Sequence, residues 1–370
     1  SKEILDLHWL RSRGRRKFSR AHQMFFFKKQ LEQASNEAIA YFKAKRFQRF
    51  QSIADLCCGI GGDSIGLSQE SDLTIVDLDR DVLAFAEKNV SAYQGKFSSV
   101  VGNAADISVH SFDAFHIDPD RRVSQARVTK PEYFAPSKHV LENLTGNNPN
   151  FAMKLAPATP IWSRQTENEF IGYDGECKQQ IVWSGDLCNT PGVRATVVRN
   201  NSLMTDTYHA GWDQIDANLI RVKPQGRFLY DPHACLVAAK LVDSFSRQYK
   251  LARVSPSTVY LSGDELVHNT LVQGFEILAI TKMEKASIKK MLQSQQVTDL
   301  EFKKRGIPVK VFNQMVKTNW WKGQKKGAPT AESCLESSTG RHTMIFLPTT
   351  NGYKAFLCKR IANQANIASD

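Results

Sequence analysis

The chain has 370 residues, enough for two domains with separate cores, and 42% of them are hydrophobic. No apolar run approaches the roughly 20 residues that cross a bilayer, and the first residues contain no apolar signal segment. We therefore expect neither a membrane protein nor an exported one, and the net charge of +12 favours a polyanionic partner.

The seven cysteines are irregularly spaced and form no C-x-x-C pair. This spacing predicts neither a disulfide framework nor a zinc site, and it favours a reducing, cytoplasmic location. The nine histidines show no metal-ligand spacing either, so we expect no metal.

Positive charge is concentrated in two stretches of the chain. Residues 1–50 contain thirteen Lys and Arg against four Asp and Glu, and residues 284–326 contain eleven against three. Such blocks on either side of a mildly acidic middle indicate a polyanion-binding surface around a catalytic core. The alternative is a pair of solvated helical faces that only keep the protein soluble.

Residues 1–50 are predicted to be mostly helical, with Ser35 as a candidate N-cap inside the amphipathic stretch LEQASNEAIAYF. From residue 51, short apolar runs alternate with helical patterns, which indicates a compact α/β domain with a mostly parallel sheet. The seven predicted strands lie in FQSIADLCC, DLTIVDLD, KFSSVV, FDAFHIDPD, NFAMKLAP, KQQIVWSG and GVRATVVRN.

The remainder of the chain predicts a small α+β module that ends in a hairpin turning at residues 350–352. The predicted divisions are a basic helical extension at 1–50, the α/β domain at 51–200, a connecting α/β segment at 201–283 and the α+β domain at 284–370.

The stretch ADLCCGIGGD, residues 54–63, leads from an apolar strand through closely spaced glycines towards a helix. This is typical of the first strand–loop–helix of a nucleotide-binding α/β fold, although a bare structural turn explains it about as well. No Gly-Lys-Ser/Thr follows, so it is not a P-loop, and the glycines do not fit G-x-G-x-x-G.

Two acids at predicted strand ends strengthen that interpretation. Asp77 follows Gly59 by 18 residues, a distance that suits an acid accepting both ribose hydroxyls of an adenosine cofactor. The alternative is that Asp77 caps the next helix, which Asp79 could also do. Asp106 closes the third apolar run, where contacts to the adenine edge are commonly placed.

The segments DLCCGIGGD, VDLD, GNAAD and HIDPDRR, in this order, resemble the motifs of class I S-adenosylmethionine-dependent methyltransferases. LEQASNEAIAYFKAKRF, KLAP, GECKQQIVW and LEFKKRG extend the resemblance to a bacterial subgroup with a helical N-terminal extension and a THUMP-like C-terminal domain. The resemblance implies a Rossmann-like seven-stranded sheet whose last strand is antiparallel, S-adenosylmethionine as the cofactor and a transferase of class EC 2.1.1.-.

Within that resemblance Asp77 would hold the ribose and Asp106 the adenine. The other cofactor-binding residues that it implies are Asp55, Cys57, Cys58, Gly59, Gly61, Gly62 and Leu78. The two cysteines are then expected to be small residues beside a closely approaching ligand, because no basic partner nearby would activate a thiol.

The motif HIDPDRR is expected at the carboxyl end of the fourth strand, where open α/β sheets bind ligands. Asp118 could accept a hydrogen bond from an amine or from the cofactor, and Pro119 would stiffen the loop. Asp120 and Arg121 replace the second proline and the aromatic residue of amino-methyltransferases, which puts N-methylation of an exocyclic amine in doubt. The catalytic candidates are Asp118, Pro119, Asp120, Arg121 and, in KLAP, Lys154.

The two arginines of this motif would suit a phosphate or carboxylate of the substrate, or would stiffen the loop by an ion pair with Asp118 or Asp120. A later S-C-N-P is missing, which disfavours covalent catalysis of the 5-methyluracil type.

The substrate interpretation rests on charge and on the resemblance. FKKRG and NWWKGQKKG could stack on bases and track phosphates, or Trp320–Trp321 could be a buried pair. Because THUMP domains belong to RNA-modifying enzymes, we expect methylation of structured RNA such as tRNA or rRNA. The alternatives are a non-catalytic RNA-binding protein with a vestigial site, a methyltransferase for protein or small molecules, and an oxidoreductase, which the missing G-x-G-x-x-G disfavours.

Overall fold

The structure is a computed structural model that describes residues 2–120, 122–123, 126–127, 133–199, 205–216, 220–297, 299–316 and 342–362. Arg121 and the segment NWWKGQKKG, with Trp320–Trp321, lie outside these residues. The chain forms two compact units, Ser1–Asp213 and Gln214–Asp370.

The first unit begins with three helices, α1 (Lys2–Gly14), α2 (Lys28–Gln33) and α3 (Glu37–Ala44), as the basic N-terminal stretch predicts. The predicted N-cap at Ser35 is wrong by one residue: the side chain of Asn36 caps α3 by accepting a hydrogen bond from the Ala38 amide. Ser35 instead donates its hydroxyl hydrogen to Asp63, at 2.8 Å between the oxygens.

Helix α3 is part of the core rather than a surface addition. Its Ile39 and Ala44 are buried among residues of the central sheet. Helix α4 (Ser64–Leu67) contacts it so closely that a Cβ on Gly66 would lie 2.6 Å from the Ala40 carbonyl oxygen. Only glycine permits this approach between the two helices.

Among the described residues of this unit, nine strands form one sheet in the order β11-β10-β8-β9-β7-β4-β1-β2-β3, and β5 pairs separately with β6. The strands are β1 (Ser52–Leu56), β2 (Asp72–Asp77), β3 (Phe97–Val101), β4 (Ala114–Ile117), β5 (Arg122–Val123), β6 (Ala126–Arg127), β7 (Phe151–Leu155), β8 (Glu167–Tyr173), β9 (Glu176–Trp183), β10 (Gly192–Val197) and β11 (Asp206–Ala210). The remaining helices of this unit are α5 (Arg80–Ala92) and α6 (Lys138–Asn147), and α7 (Trp212–Asp216) includes the last residues of this unit and the first of the next.

The predicted α/β architecture is confirmed, with a mixed sheet. Strands β3, β2, β1, β4 and β7 run parallel. Strand β9 runs antiparallel to both β7 and β8, β10 runs parallel to β8, and β11 runs antiparallel to β10.

Two details differ from the seven-stranded expectation. Strands β8 and β11 fall in segments that contained no predicted strand. The last predicted strand, now β10, is parallel to the first five, whereas β9 and β11 run against them. The antiparallel strand is therefore not the one that was expected.

The second unit contains a seven-stranded sheet in the order β13-β14-β12-β15-β18-β17-β16 among its described residues. Its strands are β12 (Phe228–Pro232), β13 (Ala252–Arg253), β14 (Leu261–Gly263), β15 (Val272–Lys282), β16 (Leu300–Lys304), β17 (His342–Thr349) and β18 (Gly352–Arg360). Its helices are α8 (Ala234–Ala238), α9 (Val242–Gln248), α10 (Lys285–Ser294) and α11 (Val309–Val316).

The predicted C-terminal hairpin is confirmed, because β17 and β18 pair antiparallel up to Thr349 and Gly352. Strands from both sides of residue 283 share this sheet, and the four-part division of the chain stays a prediction. Within the described part of the chain, no helix is both long and apolar enough to cross a membrane.

Candidate active site

The first unit has a cavity of about 650 Å³ at the carboxyl ends of β1, β2, β4 and β7, walled on one side by α2. This is the edge of a parallel sheet at which α/β proteins bind ligands, and the volume suits a small cofactor. The predicted residues that line the cavity are Asp55, Cys57, Cys58, Gly59, Gly62, Asp77, Leu78, Asp118, Pro119, Asp120 and Lys154. Gly61 and Asp106 are described but do not line it.

The loop after β1 turns sharply because three of its residues adopt positive φ: Cys57 at 58°, Gly59 at 56° and Gly61 at 79°. A Cβ on Gly59 would meet no atom within 4 Å, so this glycine leaves open space in the cavity. A Cβ on Gly61 would lie 3.2 Å from Val90 of α5. Gly59 therefore makes room for a ligand, and Gly61 makes room for a helix.

Asp77 is fixed at the end of β2 by two backbone amides. Its Oδ2 accepts a hydrogen bond from Gly59 at 2.9 Å and its Oδ1 accepts one from Asp79 at 3.0 Å. Burial raises the pKa of Asp77, although these two hydrogen bonds oppose the shift. Asp79, and not Asp77, caps α5. Since each carboxylate oxygen can accept more than one hydrogen bond, Asp77 retains acceptor capacity at the cavity wall.

Two buried side chains, Ser64 and His116, hold the carboxylate of Asp55 at the end of β1. Its Oδ2 accepts a hydrogen bond from the Ser64 hydroxyl at 2.5 Å, and its Oδ1 lies 2.8 Å from Nδ1 of His116 on β4. Burial raises the pKa of both Cys57 and Cys58, which keeps their thiols protonated and agrees with the unreactive role predicted for them.

The far end of the cavity has an apolar and a polar wall. Leu78 is 71% exposed and lines the cavity, where it provides an apolar surface. Asp106 is exposed outside it, in a short helical turn, whereas Gly102, Asn103 and Ala104 line the cavity. Asn103, in the same GNAAD motif, is the polar side chain that the sequence prediction missed at this end.

Asp118 and Lys154 form an ion pair, with 2.6 Å between Oδ2 and Nζ. Lys154 is almost fully buried and also donates a hydrogen bond to the Gln33 carbonyl oxygen of α2, at 3.3 Å. Its Nζ lies 3.7 Å from Oδ2 of Asp63. The lysine thus fixes one oxygen of Asp118 and connects it to a second acid, Asp63, which also lines the cavity.

Asp63 is buried between two lysines, and Lys43 Nζ lies 2.5 Å from its Oδ1. Burial alone would raise the pKa of Asp63, but Lys43 and Lys154 outweigh it and hold that pKa well below its usual range. Burial lowers the pKa of Lys43 in spite of the neighbouring carboxylate. The groups Lys43, Asp63, Lys154 and Asp118 thus form a series of alternating charge, which we call the charge series.

Asp120 binds the loop after β4 to the N-terminal helices. Its carboxylate lies 3.0 Å from Lys29 Nζ and accepts a hydrogen bond from the Gln33 amide at 3.2 Å. Its backbone also pairs with Ala135. The ion pair that the sequence suggested, between an arginine of this motif and Asp118 or Asp120, falls on side chains outside the described residues and stays a prediction. Lys29 is a described partner of Asp120. Both side chains are nearly half exposed, so the pair stabilises the loop weakly.

No three His, Cys, Asp or Glu side chains within the described ranges are arranged to hold a metal ion. The Asp77 carboxylate, the open space beside Gly59 and the exposed apolar side chain of Leu78 fit an adenosine-type cofactor.

No family model matches the sequence. Two Mycobacterium tuberculosis proteins, each named as an uncharacterised S-adenosylmethionine-dependent methyltransferase, are 25% identical over 303 residues, which cover 78% of this chain and 78% of theirs. A Porphyromonas gingivalis W83 protein, named only as a methyltransferase, superimposes with a TM-score of 0.74 at 17% identity, over 95% of this chain and 88% of that chain.

This chain has the fold of the Porphyromonas gingivalis protein. Its sequence likeness is to S-adenosylmethionine-dependent methyltransferases. S-adenosylmethionine fits the cavity, because Gly59 leaves open space beside the backbone and Asp77 places a carboxylate with spare acceptor capacity at the cavity wall.

Proposed function

We propose that the chain is an S-adenosylmethionine-dependent methyltransferase that acts on structured RNA such as tRNA or rRNA. The observation that carries the proposal is that Gly59, Asp77 and Asp118 line one cavity at the strand ends. When bound there, S-adenosylmethionine supplies an electrophilic methyl group, and the protein aligns the acceptor with it.

Asp77 accepts hydrogen bonds from the ribose hydroxyls in this proposal, and Leu78 covers the adenine ring. Gly59, with Cys57, Cys58 and Gly62, allows the methionine end to approach the backbone. Asn103 contacts the adenine edge, with Asp106 as the residue that the resemblance implies at this position. The contact with the apolar side chain of Leu78 stabilises the bound adenine, because a face of the ring is removed from water.

Asp118 orients the acceptor. Because Lys154 binds one of its oxygens, the direction of the other oxygen is fixed, and an acceptor N–H or O–H can donate to it. The charge series beneath it keeps Lys154 in place. Pro119 limits the freedom of the loop, and Asp120 ties it to α2 through Lys29.

The RNA part of the proposal rests on charge. The exposed basic side chains of the N-terminal helices lie in the segment that walls the cavity, and Lys29 is part of the cavity lining. A THUMP-like role for residues 284–370 belongs to the same proposal, since this stretch contains the second basic block. A protein or small-molecule acceptor, and a vestigial RNA-binding site, remain alternatives.

Calorimetry tests the cofactor. We expect S-adenosylhomocysteine to bind and NADH not to bind. Asp77→Asn should weaken S-adenosylhomocysteine binding about tenfold, because a charged acceptor is replaced by a neutral one. Asp72→Asn, at the exposed opposite end of β2, is the matched control and should bind normally. Binding of NADH alone would refute the proposal.

Labelled cofactor and total RNA test the acceptor. The wild-type protein should label one nucleoside, identified by mass spectrometry, and Asp118→Ala should abolish the label. Asp186→Ala, an exposed acid remote from the cavity lining, should retain it. Affinity for tRNA should fall steeply with salt, because counterions are released on binding. If protein or small molecules carried the label and RNA did not, RNA would not be the acceptor.

A further inference from the structure

Three phenylalanines stand in a row between the N-terminal segment and α5. Phe27 and Phe85 stack with their ring centroids 4.3 Å apart and their planes at 13°. Phe25 contacts Phe85 from another side, at 5.7 Å and 46°. We call Phe25, Phe27 and Phe85, with the two cations described next, the aromatic ladder.

Two cations lie against the outer ring of the aromatic ladder. The Arg11 guanidinium is 5.1 Å from the centroid of Phe25, and Lys88 Nζ is 4.8 Å from it. Arg11 is held by a hydrogen bond from its Nε to the Met24 carbonyl oxygen, at 2.8 Å. Aromatic rings beside fixed cations form the combination that binds bases by stacking and phosphates by charge.

The aromatic ladder begins one turn from the cavity on both elements that carry it. Phe27 precedes Lys29 and Gln30, which line the cavity. Phe85 follows Val82, another lining residue, by three positions on α5, so the two lie on the same face of that helix. A chain that leaves the cavity along this face meets the rings first and the cations next.

One ring of the aromatic ladder, Phe27, is exposed rather than buried in the core. The neighbouring Phe26 is 3% exposed and stacks on buried Phe18, whereas Phe27 is 37% exposed. Phe27 therefore offers an exposed aromatic ring, two residues before the cavity-lining Lys29, on which a base can stack.

We propose that the aromatic ladder binds an unpaired segment of RNA next to the acceptor nucleotide, with one base stacked on Phe27 and the phosphates near Arg11 and Lys88. This rests on the proposed function, and it narrows the substrate to RNA that is single-stranded at the site. Bases in a duplex cover each other's faces, so only an unpaired base can stack on a protein ring.

Fluorescence anisotropy with a labelled RNA decamer, free or annealed to its complement, tests this at constant salt. We expect the single strand to bind more tightly than the duplex. Phe27→Leu keeps the apolar contact with Phe85 but removes the ring, and it should weaken single-strand binding about tenfold without changing duplex binding. Lys88→Ala should weaken binding and lower the salt dependence by about one counterion.

Phe112→Leu is the matched control. Phe112 is a half-buried ring just before β4, at the amino end of that strand, whereas the cavity lies at its carboxyl end. Unchanged affinity in Phe27→Leu, or a preference for the duplex, would overturn the inference. S-adenosylhomocysteine binding separates the two proposals: if the wild-type protein does not bind it, the proposed function fails. If the wild-type protein binds it and labels RNA but Phe27→Leu behaves as wild type, only the aromatic ladder fails.

Discussion

Gly59 and Gly61 are two residues apart in one loop, yet the space beside each of them is used differently. Both have positive φ, where a side chain costs about 1 kcal/mol or more in backbone strain. Beside Gly59 lies the open cavity, whereas Val90 and Ala86 of α5 lie beside Gly61. Similar backbone angles therefore leave open cavity space at one position and allow a helix to pack closely at the other.

Alanine at each position separates the two roles. Gly59→Ala should weaken S-adenosylhomocysteine binding about tenfold or more, because its methyl group occupies the cavity. Gly61→Ala should cost more stability, about 2 kcal/mol or more, since its methyl group adds a close contact to the strain. Urea unfolding and calorimetry measure the two effects. If Gly61→Ala weakened the binding more than Gly59→Ala, this division of roles would be contradicted.

Of the three strand-end acids that the sequence singles out, Asp77 and Asp118 line the cavity and Asp106 does not, and the groups that hold the acids are predicted poorly. Asp77 and Asp118 follow apolar runs, so their positions at the cavity come from the order of strands alone. Lys43 comes from a helix 20 residues before Asp63, and its neighbours in sequence give no sign that it is buried. The pairing depends on how α3 packs on α4, which no local pattern specifies.

At the level of elements, β8 shows why a strand can escape prediction. Its residues Glu167, Asn168 and Glu169 are fully buried although their types favour the surface. Arg46 binds Glu167 through both of its carboxylate oxygens, at 2.9 Å each, and Trp183 donates to Glu169 at 2.8 Å. Because three successive polar residues are buried, β8 lacks the alternation of apolar and polar residues that predicts a strand. The partners that make this burial possible lie 14 to 121 residues away in the sequence, so no local pattern indicates it.

Glu167 should make the stability of this unit sensitive to acid. Burial raises its pKa, but the hydrogen bonds and charges of Arg46 and Arg194 outweigh burial and lower it to about 2. A carboxyl whose pKa is lower in the folded state contributes stability above its unfolded pKa and loses that contribution as the pH falls. The loss should therefore begin near pH 4.5 and continue towards pH 2.

Glu167→Gln removes this titration. Between pH 6 and pH 3, the free energy of unfolding of the wild-type protein should fall by about 2 kcal/mol more than that of the variant. Urea unfolding at a series of pH values measures the difference. Glu176→Gln, at a mostly exposed carboxylate, should follow the wild-type curve. Parallel curves for the wild-type protein and Glu167→Gln would show that the buried pair contributes no acid sensitivity.

On the scale of the whole molecule, the first 50 residues belong to the first unit rather than to an appendage. Phe47 and Ile39 are buried in the core below the sheet, and α2 supplies Lys29 and Gln33 to the cavity wall. The sequence predicts that this stretch is helical and basic, and it does not predict that the helices cover the strand ends. That placement depends on contacts between distant residues, such as Ser35 with Asp63.

Deleting residues 1–50 should therefore unfold the first unit. A fragment of residues 51–213 should show no cooperative thermal transition, because it exposes the apolar surface that Ile39, Ala44 and Phe47 cover. A fragment of residues 1–213 is the control and should unfold cooperatively, since it contains the complete unit. Calorimetric scans of both fragments give the answer, and a cooperative transition in the shorter one would contradict it.

The charge series has a consequence for how this protein can change over time. Lys43, Asp63 and Lys154 are buried and alternate in sign with half-buried Asp118, so a neutral residue at one of these positions leaves its charged neighbours with one opposite charge fewer. Variation is then expected to proceed by paired replacement. A related protein that lacks Asp63 should be more stable if it also lacks Lys43, and we expect the residues at these two positions to change together among related sequences.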